Sequence, residues 1–145
     1  MSRPRASVIL ELHSADRLVR TLMLEEMARL GLQPSLFAIL SLIAIHQPIT
    51  PRDLAIESGV RPTTMRDFVN EMVEAGHVRR VANPADRRSH FLELTPEGEQ
   101  FARSASRAVD SVQRELERRL GAPLEELREP LRRLRHAARA ALSDD

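Results

Sequence analysis

Residues 50–76 have the sequence TPRDLAIESGVRPTTMRDFVNEMVEAG, which predicts two short helices joined by a tight turn. Thr50 is a suitable N-cap for the first helix, and Pro51 is tolerated in its first turn because the missing N–H has no partner there. Glycine favours helix ends, so we expect Gly59 to end the first helix and Gly76 to close the second. An apolar side of the second helix is formed by Met65, Phe68, Val69, Met72 and Val73. This pattern is typical of a helix-turn-helix.

A β-hairpin is predicted directly after this motif, because the helical period gives way to alternation. The apolar residues of its two arms are Val78, Val81, Phe91, Leu92 and Leu94. Between the arms, residues 83–86 read Asn-Pro-Ala-Asp, a composition that favours a turn. We therefore expect a small two-stranded sheet in an otherwise helical chain.

Helices are also predicted on both sides of this region. One covers residues 8–30, where apolar residues recur three and four positions apart, and Gly31 ends it. A second helix, over residues 34–46, is apolar on almost all sides and should be central. A third is expected to begin at the cap Thr95 and to extend to about residue 120.

The last predicted helix carries an apolar stripe with the spacing of a coiled-coil seam, made of Leu124, Leu127, Leu131, Leu134, Ala138 and Ala141. Pro130 lies off this stripe and removes one backbone hydrogen bond. It should either kink the helix near Glu126 or mark the true start of the helix.

The overall charge is nearly balanced, with 22 basic and 21 acidic residues among 145, and every basic residue is arginine. The chain has no cysteine, which excludes disulfides, thiol redox sensing and cysteine-ligated metals. Its five histidines show no metal-ligand spacing, so we expect no metal and no cofactor. The longest apolar stretch, residues 36–45, is too short to span a membrane, and charged residues near the N-terminus argue against a signal peptide. We therefore expect a cytoplasmic protein with no membrane partner.

Ordered motifs between residues 50 and 98 identify a resemblance. They are Leu54-Ala55, Gly59-Val60, Thr63-Thr64, Val69, Gly76, Asp86-Arg87-Arg88, Leu92, Leu94-Thr95 and Gly98. This set resembles the MarR family of transcriptional regulators. The Asp-Arg-Arg of residues 86–88, followed by Leu-x-Leu-Thr-x-x-Gly over residues 92–98, is its most specific part.

The resemblance implies a winged helix-turn-helix fold, mainly α with a small β-hairpin wing, flanked by dimerisation helices. Residues 1–32 would form the N-terminal dimerisation helix, residues 33–98 the DNA-binding domain and residues 99–145 the C-terminal dimerisation helices. It further implies a homodimer that binds double-stranded DNA at a pseudo-palindromic operator and represses transcription until a ligand releases it. The flanking apolar stripes support a dimer independently, because they are too extensive for one small domain to cover. An intramolecular helical bundle is the alternative.

The start of the second helix of the motif is the part that fits the major groove of DNA. Candidates for DNA contacts there are Arg61, Thr63, Thr64 and Arg66. Arg66 is suited to guanine, and the threonines are suited to phosphates or a thymine methyl group. Thr63 equally fits a capping role.

The predicted hairpin concentrates positive charge that the overall balance conceals. Residues 78–89 have a local charge of +3, from Arg79, Arg80, Asp86, Arg87 and Arg88. The resemblance implies that Arg88 enters the minor groove and that Asp86 orients it through an ion pair. The other three arginines are expected to meet phosphates, with a solvent-facing strand as the alternative for Arg79 and Arg80.

Asp67 departs from the family pattern, in which a basic residue commonly follows the start of the recognition helix. An acid there would repel phosphate, so we expect Asp67 to pair with a hairpin arginine or to hold Arg66 in place. Together with Glu71 and Glu74, Asp67 keeps a second interpretation open. In that interpretation the chain is a dimeric winged-helix protein-interaction module that binds no operator.

The resemblance also implies a small aromatic or anionic effector bound between the dimerisation helices and the winged domain. Met23, Met27, Phe37 and Phe101 are candidates to line its site, with ordinary core packing as the alternative. The chain has no glycine-rich phosphate loop, nucleophile motif or metal-ligand spacing, so we do not expect an enzyme.

Overall fold

A computed structural model describes residues 7–32 and 36–143 of the chain. Within them, six α-helices, a short 3₁₀ helix and one antiparallel pair of strands follow each other along the chain. The elements are α1 (Val8–Arg29), α2 (Phe37–His46), α3 (Pro51–Ser58), α4 (Pro62–Glu74), β1 (Val78–Ala82), β2 (His90–Leu94), α5 (Pro96–Leu120), the 3₁₀ helix (Leu124–Leu127) and α6 (Arg128–Ser143). The predicted fold class, mainly α with a β-hairpin, is confirmed.

Capping residues set the helix boundaries that the sequence predicts. The Thr50 hydroxyl accepts a hydrogen bond from the backbone N–H of Asp53 at 3.1 Å, and Thr95 does the same for Gly98 at 3.1 Å. Gly59 and Gly121 end α3 and α5 with φ of 70° and 71°, a left-handed conformation that favours glycine. Local chemistry therefore delimits the helix-turn-helix and the helix that follows the hairpin.

The hairpin is held in register by five residue pairs, from Val78 opposite Leu94 to Ala82 opposite His90. A third segment, which the sequence did not predict, joins it at Ile49. The backbone N–H of Ile49 donates to the carbonyl of Leu92 at 3.3 Å, and the N–H of Leu92 donates to the carbonyl of Ile49 at 2.7 Å. The hairpin is thus fastened to the segment that leads into the helix-turn-helix.

The core of the winged domain forms around α2, as its apolar sequence predicts. Three residues of this helix, Ile39, Leu40 and Ile43, are at most 5% exposed. They pack with buried side chains from α3, α4 and the hairpin, among them Leu54, Met65, Val69, Met72 and Leu92. The predicted start of this helix at Pro34 lies outside the described residues. None of the helices in residues 7–32 and 36–143 combines the length and apolarity needed to cross a membrane.

Pro130 lies in the first turn of α6, three residues into the helix. The preceding residues, Leu124–Leu127, form a separate 3₁₀ helix. Of the two predicted outcomes, the structure therefore shows that the proline is close to the true start of the helix, where its missing N–H removes no intrahelical bond.

The flanking helices leave large apolar side chains exposed on the single chain. Only Met27 of α1 is buried, and α1 packs along α5. The exposed apolar residues of these helices include Val8, Ile9, Leu18, Leu127, Leu131, Leu134 and Leu142. The described residues therefore do not form the alternative structure, an intramolecular bundle that covers these stripes.

Candidate nucleic-acid interface

Helix α4 separates a buried side from a polar, exposed side. Met65, Val69 and Met72 are at most 3% exposed and attach the helix to the core. The four predicted DNA-contact residues of this helix start, Arg61, Thr63, Thr64 and Arg66, are all exposed. The geometry therefore brings them to the surface at one end of α4.

Thr63 does not cap α4, contrary to the second role that the sequence allowed for it. The N-cap is Arg61, whose side chain makes no capping hydrogen bond, and the helix begins at Pro62. Thr63 is the second helical residue, because Pro62 already has the fixed φ that suits the first position. Its hydroxyl belongs to the exposed side of the helix.

Asp86 and Arg88 are joined at the tip of the hairpin, but not by the predicted ion pair. The Asp86 carboxylate accepts a hydrogen bond from the backbone N–H of Arg88 at 2.9 Å. The Asn83 side chain accepts one from the backbone N–H of Ala85 at 3.0 Å. Aspartate and asparagine commonly bind the backbone two residues ahead in this way, which fixes tight turns.

The guanidinium groups at the tip are available to a partner. Within residues 7–32 and 36–143, the exposed side chains of Arg87 and Arg88 form neither a salt bridge nor a side-chain hydrogen bond. Asp86 orders the backbone that carries Arg88, and it leaves the Arg88 guanidinium unneutralised.

The two strand arginines lie in different environments. Arg79 faces Glu93 across the hairpin, and its Nη2 lies 2.8 Å from Oε2 of that glutamate. Arg80 donates from Nη2 to Oδ1 of Asn70 on α4 at 2.6 Å. Since successive strand residues point to opposite faces, only Arg80 lies on the α4 side. The charge of Arg79 is offset by Glu93, which was not predicted from the sequence.

Asp67 makes neither of its two predicted pairs. In the described part of the chain, its exposed carboxylate forms no salt bridge with Arg66 or with an arginine of the hairpin. Glu71 and Glu74 are exposed as well. The polar side of α4 therefore carries cations at its start, Asp67 directly after Arg66, and two further acids in its C-terminal half.

A cleft lies between α3, α4 and the hairpin, with a volume of about 270 Å³. Its lining residues, which define what we call the arginine cleft, are Pro51, Arg52, Pro62, Arg66, Val69, Asn70, Arg80 and His90. Burial, and then the charge of Arg80, lower the pKa of His90 from its ordinary value of 6.5. Neither Arg52 nor His90 was predicted as a site residue, because nothing in their local spacing brings these two residues together.

The four residues predicted to bind an effector do not gather in one cavity. Met27 is 1% exposed. The Phe101 ring lies against that of His77 with centroids 5.2 Å apart, and Phe101 packs on the core of the winged domain. Met23 and Phe37 are half-buried. A cavity between α1 and α5 has other lining residues, Leu22, Glu25, Glu26, Arg29, Ser111, Val112 and Glu115.

A helix-turn-helix followed by a β-hairpin, with unpaired arginines at the hairpin tip, defines a winged helix-turn-helix protein. Residues 32–90 match the family model described as the MarR family. The chain therefore carries a MarR-family domain, and the resemblance predicted from the sequence is confirmed.

One similar relative is a protein from Thauera aromatica, named as a candidate transcriptional regulatory protein for the hcr operon. The two are 32% identical over 79 residues, which cover 54% of this chain and 48% of that protein. The chain thus matches about half the length of this relative.

Among solved structures, the chain is similar to CouR from Rhodococcus jostii RHA1 bound to p-coumaroyl-CoA, with a TM-score of 0.77 and 22% identity over 93% of this chain and 96% of CouR. It is also similar to a cysteine-to-serine mutant of MarR from E. coli in complex with operator DNA. There the TM-score is 0.71 and the identity 22%, covering 87% of this chain and 89% of that one. These similarities show a shared fold.

Proposed function

We propose that this protein is a transcriptional regulator that binds double-stranded DNA as a homodimer and represses from a pseudo-palindromic operator. The observation that carries the proposal is the pairing of two exposed features on one domain. The start of α4 presents arginine and threonine side chains, and the hairpin tip presents two guanidinium groups that pair with none of the described residues. A helix and a basic wing on one side of a domain suit the major groove and the adjacent minor groove.

Each candidate residue has a distinct role in this proposal. Arg66 reads a base edge in the major groove, with Arg61, Thr63 and Thr64 beside it. Arg88 enters the minor groove, where the narrow groove of A·T-rich DNA attracts guanidinium. Phosphate contacts, which supply affinity with little sequence information, come from Arg79, Arg80 and Arg87. Of these, Arg79 contributes least because Glu93 offsets its charge.

The homodimer in this proposal is supported by the unburied flanking helices. Leu127, Leu131 and Leu134 are between 41% and 49% exposed on the single chain, and Val8 and Ile9 of α1 are 66% exposed or more. A two-fold axis buries the same patch on both copies and sets a fixed spacing between two copies of α4. Such a spacing is what a pseudo-palindromic operator requires.

Release by a small aromatic or anionic effector is the regulatory part of the proposal. It is supported by the fold shared with CouR, whose structure holds p-coumaroyl-CoA. Such a ligand acts only if it favours one spacing of the two α4 helices over another. With Met27 and Phe101 already packed, Met23 and Phe37 are the members of the predicted set best placed to contact it.

A second candidate function is a dimeric module that binds another protein and no operator. It is favoured by the exposed acids of α4, Asp67, Glu71 and Glu74, which would repel phosphate. The regulator remains the better supported function, because the acids follow the helix start while the cations occupy it.

Selection of binding sites from a random duplex pool tests the proposal. We expect enrichment of a pseudo-palindrome, and an affinity for it that falls steeply with salt concentration. A pool from which nothing is enriched, or an affinity that does not respond to salt, would contradict the regulator and favour the module. Scrambled duplexes of the same composition serve as the control.

A further inference from the structure

Three cationic side chains from three separate elements line the arginine cleft. Arg52 comes from α3, Arg66 from α4 and Arg80 from β1, and none of the lining residues is acidic. The cleft also adjoins the N-terminal turns of α3 and α4, whose backbone dipoles add positive potential. Such a site attracts an anion and repels a cation.

His90, which also lines the cleft, supplies an independent observation. Its Nε2 atom is buried and has no hydrogen-bond partner among the described residues. A buried ring nitrogen without a partner is unfavourable, and folded proteins normally satisfy such groups. In a cleft lined by cations, an anion that accepts a hydrogen bond from the Nε2–H of His90 would satisfy it.

We infer that the arginine cleft holds one backbone phosphate of duplex DNA, and that His90 strengthens this contact when its ring is protonated. The inference rests on the proposed function. Arg66 belongs both to the exposed side of α4 and to the cleft, so a strand that borders the major groove would bring a phosphate there. Arginine suits phosphate because its planar fork of donors matches two oxygens at once.

The surroundings of His90 decide whether its ring is protonated. Burial disfavours a positive charge on the ring most, and the charge of Arg80 on β1 disfavours it further. Arg52 of α3 and Arg66 of α4 line the same cleft. Burial and the charge of Arg80 lower the pKa of the free ring from its ordinary value of 6.5, which favours its neutral form at neutral pH. A bound phosphate reverses the balance and raises that pKa.

The sign of the resulting pH dependence is fixed by linkage. A proton is taken up on binding wherever the pH lies between the pKa of free His90 and its higher value in the complex. DNA affinity should therefore rise as the pH falls through this window, by up to about tenfold per pH unit because one proton is involved.

The test measures binding of the full chain to a fluorescent 30-base-pair duplex by anisotropy, at constant ionic strength, between about pH 6 and about pH 8. We expect the wild type to bind more tightly at the lower pH, and the variant His90→Gln to lose most of this difference. The matched control His46→Gln, at an exposed histidine on α2, should keep it. The variant Arg52→Gln should lower the slope of log affinity against log salt by about 1. Equal pH dependence in wild type and His90→Gln would overturn the inference.

A second measurement needs no variant. The ring signals of His90, followed by NMR against pH, give its pKa in the free protein, with duplex DNA and with inorganic phosphate alone. A higher pKa with DNA supports the inference, and an unchanged one overturns it. An increase with inorganic phosphate but none with DNA would also overturn it, by making the cleft a site for free anions.

Failure of the proposed function has a different signature. A protein that binds no duplex at any pH would refute the regulator together with the cleft. A protein that binds duplex DNA with a pH dependence unaffected by His90→Gln would refute only the phosphate site.

Discussion

The carboxylate of Asp86 binds the backbone N–H of Arg88 at 2.9 Å, and so orders the hairpin tip without neutralising the guanidinium. An ion pair would hold Arg88 by charge, at the expense of its attraction for DNA. A turn that is closed through the backbone leaves the full charge of Arg88 for the minor groove. The two arrangements make opposite predictions for one conservative substitution.

Asp86→Asn should not weaken the binding of DNA. Asparagine retains an oxygen that can accept from the Arg88 N–H and removes a negative charge from a surface proposed to face phosphates. We expect DNA affinity to stay the same or to rise. Asp86→Ala removes the acceptor, so it should weaken binding to the selected duplex. Equal losses in both variants, measured by anisotropy, would mean that the charge of Asp86 is what holds Arg88.

Arg88→Ala is the direct test of the hairpin tip. If this guanidinium enters the minor groove, its loss should weaken specific binding by about 1 to 3 kcal/mol, the range of a good base contact. Affinity for a scrambled duplex should fall much less. Arg107→Ala, at an exposed arginine of α5, is the control and should bind like the wild type. Unchanged specific binding in Arg88→Ala would exclude the tip from recognition.

Glu93→Gln should release Arg79 for phosphate contact. The Arg79 side chain is 60% accessible and that of Glu93 is 27% accessible, so loss of this surface pair should lower the free energy of unfolding by less than about 1 kcal/mol. Binding to duplex DNA should tighten, and its salt dependence should steepen by about one unit of slope. Glu129→Gln, which frees Arg132 on α6, is the matched control. A salt slope like that of the wild type would place Arg79 away from the DNA.

Helix ends and the hairpin could be predicted from sequence because their causes are local. Thr50 and Thr95 cap the helices that follow them, and Gly59 adopts the left-handed conformation that ends α3. In each case the deciding contact joins residues no more than a few positions apart, so spacing alone carries the information.

The contacts that the sequence did not reveal join distant segments or depend on rotamers. The bridge from Ile49 to Leu92 and the presence of Arg52 and His90 in one cleft depend on how the segments of the domain pack together. The prediction that Asp86 interacts with Arg88 is correct. Which group of Arg88 the carboxylate would bind depends on the turn conformation, and the residue types leave that open.

Gly98→Ala should destabilise the fold although it replaces a poor helix former with the best one. Propensity alone predicts a gain of about 1 kcal/mol. A Cβ on Gly98, however, would overlap the carbonyl oxygen of His77 and lie 2.9 Å from its carbonyl carbon. Backbone cannot move aside as a flexible side chain can, so we expect a net loss of about 1 to 3 kcal/mol in the free energy of unfolding. Urea denaturation measures it, with Ser106→Ala at an exposed position of α5 as the control. A more stable variant would show that α5 shifts freely away from the backbone of His77.

Leu134→Glu should disrupt the proposed dimer and leave the DNA-binding domain intact. Leu134 is 41% exposed on the single chain and lies on the apolar stripe of α6, which the proposed dimer buries. Burying a leucine contributes about 1.5 to 3 kcal/mol, and burying an unpaired carboxylate opposes association further. Sedimentation should therefore show a dimer for the wild type and a monomer for the variant.

His136→Glu is the matched control for that substitution. His136 is exposed on the same helix, and two residues of helical rotation place it about 200° from Leu134. This variant should remain dimeric. The monomeric variant should retain its affinity for a single half-site, because α4 and the hairpin are untouched, and should lose the gain that two linked half-sites give the dimer. A Leu134→Glu protein that stays dimeric would place the interface elsewhere. Equal losses on one half-site and on two would mean that the substitution disturbs the winged domain itself.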